Sequence, residues 1–220
     1  MVYDFVAALL RPIAWWGRLR VAGLEQVPGE GPLLVVPNHD SQWDPVLVGL
    51  AIKPRRRLRF LTRASLWRIP GLGPLLYALN QIPIRRGASD AAALEKAVDA
   101  LDAGQSVCVF PEGGLSWGER LRARSGIGRL ANSCPEAQVV LCAVEGCTEY
   151  VRFPRRPRVR VTFFRPTGGP GPGEEAPELA TRLLDEIRAR VPPTPAGRRA
   201  LVGGPPRVQK RRTRPRASRS

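Results

Sequence analysis

The chain has 220 residues, of which 43% are hydrophobic and 25% charged, and its net charge is +16. These values predict one globular domain with a full hydrophobic core. The charge is unevenly spread, because residues 191–220 hold nine basic residues and no acidic one. This segment is also rich in proline and glycine, so we predict a disordered Arg/Pro-rich tail at residues 192–220. Such a tail suits a polyanion, or it has no dedicated partner.

Several classes of protein are excluded by features that the sequence lacks. No apolar run reaches the roughly 18–20 residues that span a bilayer, and the apolar N-terminus lacks the basic start of a signal peptide. The cysteines show no Cys-x-x-Cys spacing, so we expect free thiols and neither a zinc site nor a disulfide framework. We expect no resident cofactor and no metal. The four cysteines are Cys108, Cys134, Cys142 and Cys147.

Residues 2–18 fit an amphipathic helix at the N-terminus. Phe5, Leu9, Ile13 and Trp16 recur at spacings near 3.6 residues and form one stripe. Tryptophans beside arginines are typical of a lipid–water boundary, so we predict a membrane-interface helix at residues 1–19. The alternative is that the stripe packs on the core of the domain.

Buried strands and helices alternate along residues 20–191. Strands are predicted at 33–36, 58–62, 81–84, 106–110, 139–144 and 159–164, and helices at 45–52, 91–103 and 178–191. Residues 66–79 form a broken apolar segment that ends in a short helix. This alternation predicts a single α/β domain, with a mixed and mostly buried sheet flanked by helices.

The only histidine, His39, directly follows the first predicted strand, and Asp44 lies five positions later. Histidine is the side chain whose ordinary pKa, roughly 6.5, suits it to accept a proton near neutral pH. Positions five apart in one helix point about 140° away from each other, so the two side chains meet only if His39 lies in a loop and Asp44 opens the helix. Pro45 favours that arrangement, because proline is tolerated in a first helical turn.

Asp44 in that position would fix the tautomer of the imidazole, and the second ring nitrogen could then accept a proton from a hydroxyl. Its other predicted role is that of a helix cap, and the two roles are compatible. Ser41 is a weaker candidate for a nucleophile, because no nucleophile-elbow pattern surrounds it.

A glycine-containing loop follows the predicted strand 106–110. It contains Glu112, Gly113, Gly114 and Ser116. Glycines let the backbone turn sharply and approach a ligand closely, and backbone amides in such a loop can bind an anionic group. Taken alone, the loop also fits an ordinary turn.

Arg85 and Arg86 stand at the end of the predicted strand 81–84. The fork of a guanidinium matches phosphate oxygens, although such a pair is also common on a solvated surface. Because strand ends converge in α/β sites, we predict that these arginines, the glycine loop and His39 share one site.

These segments resemble sequence blocks of the glycerolipid acyltransferases, in particular the 1-acylglycerol-3-phosphate acyltransferase family. Asn38-His39-x-x-x-x-Asp44 and Phe110-Pro111-Glu112-Gly113 resemble its first and third blocks, and Gln81-Ile82-Pro83-Ile84-Arg85-Arg86 resembles its second. The match covers roughly residues 20 to 165, in the same order and spacing. The pairing of the first and third blocks is the specific part.

The resemblance implies an acyltransferase in which His39 deprotonates the free hydroxyl of a lysophospholipid-type acceptor and Asp44 orients His39. That hydroxyl attacks the thioester of acyl-CoA or acyl-carrier protein directly. By the same resemblance Arg86 holds the acceptor phosphate, while Glu112 and Gly113 shape the acceptor site. The expected acceptor is 1-acyl-sn-glycerol-3-phosphate, which gives phosphatidic acid. The expected location is the cytoplasmic face of the cell membrane, with peripheral or monotopic attachment to an anionic surface.

The sequence departs from the family pattern near the acceptor. Arg85 replaces the usual aspartate of the second block, and Gly114-Leu115-Ser116 stands where Thr-Arg-Ser is common. A different lysolipid therefore remains open as acceptor, with Arg85 compensating for the missing basic residue. Two further alternatives are a hydrolase that uses the same His–Asp pair on water, and a non-catalytic basic protein that binds lipid or nucleic acid. Nucleic acid is not the expected partner.

Overall fold

The computed structural model describes residues 2–85, 90–116, 119–152, 154, 156–169 and 174–191. The predicted tail at 192–220 and Arg86 lie outside these residues. The described helices are α1 (Val2–Trp16), α2 (Asp44–Ile52), α3 (Leu72–Ala78), α4 (Ala91–Asp102), α5 (Gly126–Ser133) and α6 (Ala176–Arg190). The described strands are β1 (Arg20–Ala22), β2 (Leu33–Pro37), β3 (Leu58–Arg63), β4 (Ile82–Ile84), β5 (Ser106–Cys108), β6 (Gln138–Glu145) and β7 (Arg160–Phe164).

The strands form one mixed sheet in the order β1-β7-β6-β2-β5-β3-β4. β6 and β7 pair antiparallel, and the other neighbouring strands pair parallel. β2 is central, with β5 on one side and β6 on the other, so the loops that follow β2 and β5 leave the same edge of the sheet side by side. The predicted α/β fold with a mixed sheet is confirmed.

The two faces of the sheet are covered by different helices, and β2 shows how the sequence achieves this. Successive side chains of a strand point to opposite faces. Leu34 and Val36 accordingly join the core that includes α4, α5 and α6, whereas Leu33 and Val35 join the core on the α2 side. All four are fully buried, which explains why β2 reads as a continuous apolar run rather than an alternating one.

Helix α1 lies against α2 but leaves much of its apolar stripe in solvent. Tyr3 and Ile13 face the domain: the hydroxyl of Tyr3 is 3.4 Å from the amide nitrogen of Leu58, and Ile13 packs against the α2-side core. Phe5 is 70% exposed and Leu9 is 67% exposed. The predicted stripe is therefore divided, with its last turns packed and its first turns exposed. No helix among the described residues is long and apolar enough to cross a membrane.

Two elements were not predicted, and each lacks the usual local signal. β1 has three residues, all with exposed side chains, and it is ordered by pairing with β7 at the edge of the sheet. α5 begins with Gly126 and contains Gly128, and glycine disfavours helix. Its apolar residues Ile127 and Leu130 are buried in the core, so tertiary packing overrides the local preference. The four cysteines are buried free thiols, as predicted.

Gly128 permits α5 and α6 to touch, because a Cβ built on it would lie only 1.9 Å from the carbonyl oxygen of Ala176. We expect Gly128→Ala to lower the free energy of unfolding by about 1–3 kcal/mol, because the helices must separate. Urea unfolding of the full chain measures this. Gly126→Ala is the matched control: its added Cβ would meet only the side chain of Leu94, at 3.6 Å, and should cost nothing. Equal stabilities for the two variants would contradict the close approach.

Candidate active site

A cavity of about 480 Å³ opens at the edge of the sheet where β2, β3, β4 and β5 end. Sites of α/β proteins form at this edge, because loops that follow neighbouring parallel strands meet there. The described residues that line the cavity include four arginines and one acidic residue. The lining residues are His39, Leu61, Arg63, Ile84, Arg85, Asp90, Leu94, Val109, Phe110, Gly113, Gly114, Arg124, Ser125, Gly126 and Arg129.

The predicted contact between His39 and Asp44 is confirmed. His39 lies in the loop after β2, Asp44 is the first residue of α2, and Nδ1 of His39 is 3.2 Å from Oδ2 of Asp44. Since a carboxylate only accepts, Nδ1 carries the proton and donates it in this hydrogen bond. The side chain of His39 is 13% exposed and that of Asp44 is 1% exposed. No described residue forms a hydrogen bond with Nε2 of His39, which is left for a ligand.

The predicted helix-capping role of Asp44 is wrong. Its Oδ2 accepts hydrogen bonds from the amides of Asp40 and Ser41, both at 2.7 Å, which precede the helix. Trp43 occupies the cap position, and its side chain forms no capping hydrogen bond. The carboxylate therefore holds the loop that carries His39 in place and does not cap the start of α2. The hydroxyl of Ser41 is buried and donates to the carbonyl oxygen of Cys147 at 3.2 Å, which leaves it poorly suited to be a nucleophile.

The glycine loop after β5 holds His39 from the other side. The imidazole stacks on Phe110 with ring centroids 4.1 Å apart. The amide of His39 donates to Oε2 of Glu112 at 2.7 Å, and its carbonyl oxygen accepts from the amide of Ser116 at 2.8 Å. The backbone and ring of His39 are thus both fixed by a loop that lies some seventy residues further along the chain.

Beneath His39 lies a buried ion cluster that sequence reasoning missed. Arg188 of α6 donates to both carboxylate oxygens of Asp40, at 2.7 and 2.9 Å, and to Oε1 of Glu112 at 3.0 Å through Nε. Asn38 donates to Asp40 at 3.1 Å, and the hydroxyl of Ser116 also donates to Asp40. Each of these five residues is less than a tenth exposed. The cluster joins the loop after β2, the loop after β5 and helix α6.

The electrostatics of the cluster follow from burial and pairing. Burial disfavours the charge of Arg188, but its hydrogen bonds and ion pairs with Asp40 and Glu112 outweigh this and raise its pKa. Burial raises the pKa of Glu112, and the positive charge of Arg188 opposes that rise. The cation is therefore permanent, and it is the group that makes two carboxylates tolerable in this interior.

The predicted substrate-binding residues divide into two groups. Arg85, Gly113 and Gly114 line the cavity. Glu112 and Ser116 are buried, at 3% and 1% exposure, and do not line it; their side chains serve the cluster beneath His39. The amide of Gly113 donates to the carbonyl oxygen of Phe110 at 3.1 Å, so this amide is not available to an anionic group. Arg86 lies outside the described residues.

Three arginines of the cavity were not predicted: Arg63, Arg124 and Arg129. Arg63 is the last residue of β3, and Arg85 directly follows β4. Its position at the end of a strand is the sequence signal that could have predicted Arg63 as a cavity residue. Arg124 packs on Gly113, where an added Cβ would lie 3.0 Å from its Cγ and where φ is +64°. Glycine at this position thus makes room for a basic side chain.

The segment that carries these loops is also the part of the chain that matches a known family. A sequence profile of the family described as Acyltransferase matches residues 18–145, more than half of the chain, and this segment includes His39, Asp44 and Glu112. The chain belongs to the acyltransferase family. The family resemblance inferred from the sequence blocks is confirmed. Arg188, the cation of the buried cluster, lies beyond the matched segment.

The chain is also similar to individual known proteins. The chain is 35% identical to a lyso-ornithine lipid O-acyltransferase of Pseudomonas aeruginosa over 134 residues, which are 58% of this chain and 50% of that protein. It is 28% identical to an uncharacterized protein of Mycobacterium leprae over 163 residues, 66% of this chain and 42% of that one. The chain thus spans half or less of the length of these curated relatives. The solved structure of the 1-acyl-sn-glycerophosphate acyltransferase PlsC from Thermotoga maritima shares the fold, with a TM-score of 0.64 and 23% identity, over 83% of this chain and 78% of that one.

Arg188 should be far more important for folding than a surface arginine of the same helix. We expect Arg188→Gln to lower the free energy of unfolding by about 3–5 kcal/mol, because two buried carboxylates lose their cation. Arg182→Gln is the matched control: Arg182 is one-third exposed and pairs with Glu174 and Glu186, and its loss should cost about 1 kcal/mol or less. Urea unfolding of both variants measures the difference, and equal losses would contradict the role assigned to the cluster.

Proposed function

We propose that this protein transfers an acyl group from an acyl thioester to the free hydroxyl of a lysolipid, with His39 as general base. The observation that supports this most directly is the imidazole held by Asp44 through Nδ1, in a cavity lined by four arginines. A fixed tautomer leaves Nε2 unprotonated and able to accept a proton. Such a base contributes about 10²- to 10⁴-fold to a rate.

The reaction balances with the groups present. The O–H bond of the acceptor breaks, its proton passes to Nε2 of His39, and its oxygen attacks the carbonyl carbon of the thioester. The C–S bond then breaks, and the proton held by His39 goes to the departing thiolate. Asp44 stabilises the imidazolium formed between these steps. Acyl-CoA and acyl-carrier protein both supply the required thioester, and the proposal needs no resident cofactor.

The raised pKa values of the buried cysteine thiols favour direct transfer over an acyl-cysteine intermediate. Burial raises the pKa of Cys108 and Cys142 well above the ordinary value, and burial together with the charge of Asp44 does the same for Cys147. Since the thiolate is the nucleophilic form, these thiols are inert near neutral pH. The acceptor hydroxyl itself is therefore the attacking group in our proposal.

The charge of the cavity favours an acceptor with a phosphate. Among the described residues, Arg63, Arg85, Arg124 and Arg129 line it, and Asp90 supplies the one carboxylate. Oδ2 of Asp90 accepts from the amide of Arg85 at 2.7 Å, so the carboxylate is engaged by the backbone. Guanidinium groups bind phosphate oxygens with matched geometry. We therefore propose 1-acyl-sn-glycerol-3-phosphate as the acceptor.

A second candidate acceptor is a lyso-ornithine lipid. The relative from Pseudomonas aeruginosa is named for that acceptor, and it shares 35% identity with this chain. The carboxylate of ornithine could be bound by the same arginines, and its amino group would require a negative partner. Asp90 is the carboxylate that lines the cavity.

The surface of α1 supports attachment to a membrane. Phe5, Leu9 and Trp15 are each about two-thirds exposed or more, and Arg11 and Arg18 are exposed beside them. Aromatic and basic side chains together are typical of helices that lie in the lipid headgroup region. We propose peripheral attachment at the cytoplasmic face, where anionic lipids are enriched.

Replacing His39 should remove acyl transfer without unfolding the protein. We expect His39→Ala to lower turnover by about 10²- to 10⁴-fold, because the acceptor hydroxyl loses its base. Purified protein with labelled acyl-CoA and lysophosphatidate, with products identified by mass spectrometry, measures this. Gln42→Ala, an exposed change in the same loop, is the matched control. Unchanged turnover in His39→Ala would remove His39 from the mechanism, and release of free fatty acid in place of acylated lipid would identify a hydrolase.

The cavity arginines should set the affinity for the acceptor. We expect Arg63→Gln to raise KM for lysophosphatidate by about tenfold or more with little change in kcat, because one charge-assisted hydrogen bond is lost. Arg68→Gln, an exposed arginine that does not line the cavity, is the control. The same assay with a panel of lysolipids tests the acceptor: higher kcat/KM for lyso-ornithine lipid than for lysophosphatidate would select the second candidate.

A further inference from the structure

A second cavity, which we call the basal cavity, lies at the opposite edge of the sheet from His39, where β3 and β5 begin. Its volume is about 370 Å³, and it lies between the start of α1 and the end of α3. No acidic residue is among the described residues that line it, whereas three arginines are. The lining residues are Val2, Tyr3, Arg56, Arg57, Leu58, Arg59, Ala78, Leu79, Asn80, Gln105 and Ser106.

Two of the arginines are held in place by the protein. Arg56 donates to Ser106 at 2.8 Å through Nε, and through Nη2 to the carbonyl oxygens of Gly31 and Gly104 at 2.6 and 3.0 Å. Arg59 donates to the carbonyl oxygen of Asn80 at 2.7 Å. These bonds fix the guanidinium groups without neutralising their charge, because the acceptors are uncharged. Arg57, in contrast, pairs with Asp4 at 2.6 Å, so the rigid positive charge of the cavity comes from Arg56 and Arg59.

One donor in the cavity walls lacks an acceptor. Nη1 of Arg56 is buried and forms no hydrogen bond with any described residue. Glu30 acts on Arg56 through its charge, but no hydrogen bond joins the two side chains among the described residues. A buried, unpaired donor on a charged group is costly. An anion in the cavity would stabilise the positive charge of this guanidinium group.

The rim of the basal cavity is apolar and exposed on both sides. Val2 of α1 is 44% exposed, and Tyr77, next to the lining residue Ala78, is 79% exposed. Phe5 and Leu9 continue the exposed apolar surface along α1. A charged cavity with such a rim fits an amphiphile, whose head is anionic and whose remainder is apolar.

We propose that the basal cavity binds the phosphate of an anionic phospholipid headgroup and so lays α1 flat on the membrane. At its other end α1 reaches the active-site edge: the carbonyl oxygen of Ile13 accepts from Tyr150 at 2.7 Å, and Tyr150 packs on Trp43 beside Asp44. A helix of 15 residues spans about 22 Å. A headgroup fixed at one end therefore keeps the His39 edge close to the surface that holds the lipid acceptor.

Vesicle binding by the full chain tests this site separately from catalysis. The vesicles contain phosphatidylcholine with or without phosphatidylglycerol, and neither an acyl donor nor a lysolipid is present. We expect Arg59→Gln to weaken binding to the phosphatidylglycerol vesicles by about tenfold or more, because charge-assisted hydrogen bonds are lost. Arg55→Gln, an exposed change in the turn that precedes β3, removes one charge outside the cavity and should weaken binding by about fivefold at most.

A variant that keeps every charge separates the cavity from general surface charge. Ala78→Phe fills the basal cavity at an exposed helix end, and we expect it to weaken vesicle binding as much as Arg59→Gln does. Unchanged binding in Ala78→Phe, or equal losses in Arg55→Gln and Arg59→Gln, would overturn the proposal. So would binding that ignores phosphatidylglycerol, or full competition by inorganic phosphate at matched phosphate concentration, which would identify free phosphate as the ligand. Both variants should retain acyl transfer to detergent-dispersed acceptor, since neither residue lies near His39.

Discussion

The ion cluster of Arg188, Asp40 and Glu112 is the interaction on which the candidate active site depends. It ties together the loop after β2, the loop after β5 and the last helix, and Glu112 passes this restraint to the backbone of His39. Buried ion pairs contribute little net stability, because desolvation offsets their attraction. The cluster instead fixes the position of the two loops relative to each other, because both carboxylates must reach the guanidinium of Arg188.

The acidic residues near His39 have two different roles. Asp44 touches the imidazole and sets its tautomer, whereas Asp40 and Glu112 never reach the cavity and act only through the backbone. Arginines, in contrast, line the cavity itself. Negative charge thus lies beneath the histidine and positive charge in front of it, which suits the role that we propose, in which the imidazole gains a proton near an anionic acceptor.

The two edges of the sheet carry different chemistry. In a mostly parallel sheet the carboxyl ends of the strands gather the loops, and the proposed acyl transfer uses that edge. The opposite edge holds the arginine-walled basal cavity, and α1 runs from one edge toward the other. In our proposals the domain acts on a lipid acceptor at a membrane surface, so its orientation on that surface matters. A helix with anchoring groups near one end and the active-site edge near the other would set that orientation.

The sequence by itself determined six of the seven described strands, the family and the His39–Asp44 pair, because each depends on short local patterns or on their order along the chain. Tertiary structure alone decided that Glu112 and Ser116 are buried, that Arg124 lines the cavity, and that Arg188 pairs with Asp40. Arg188 lies one turn after Leu184 on the apolar face of α6, so the helix pattern shows that it is buried but not which partner it finds. That partner depends on how the connections between strands place the strand ends next to one another. The sequence likewise gives no local signal for α5 or β1. Local spacing encodes contacts within one turn or one loop, whereas burial beside a residue about 150 positions away is settled only when the sheet has formed.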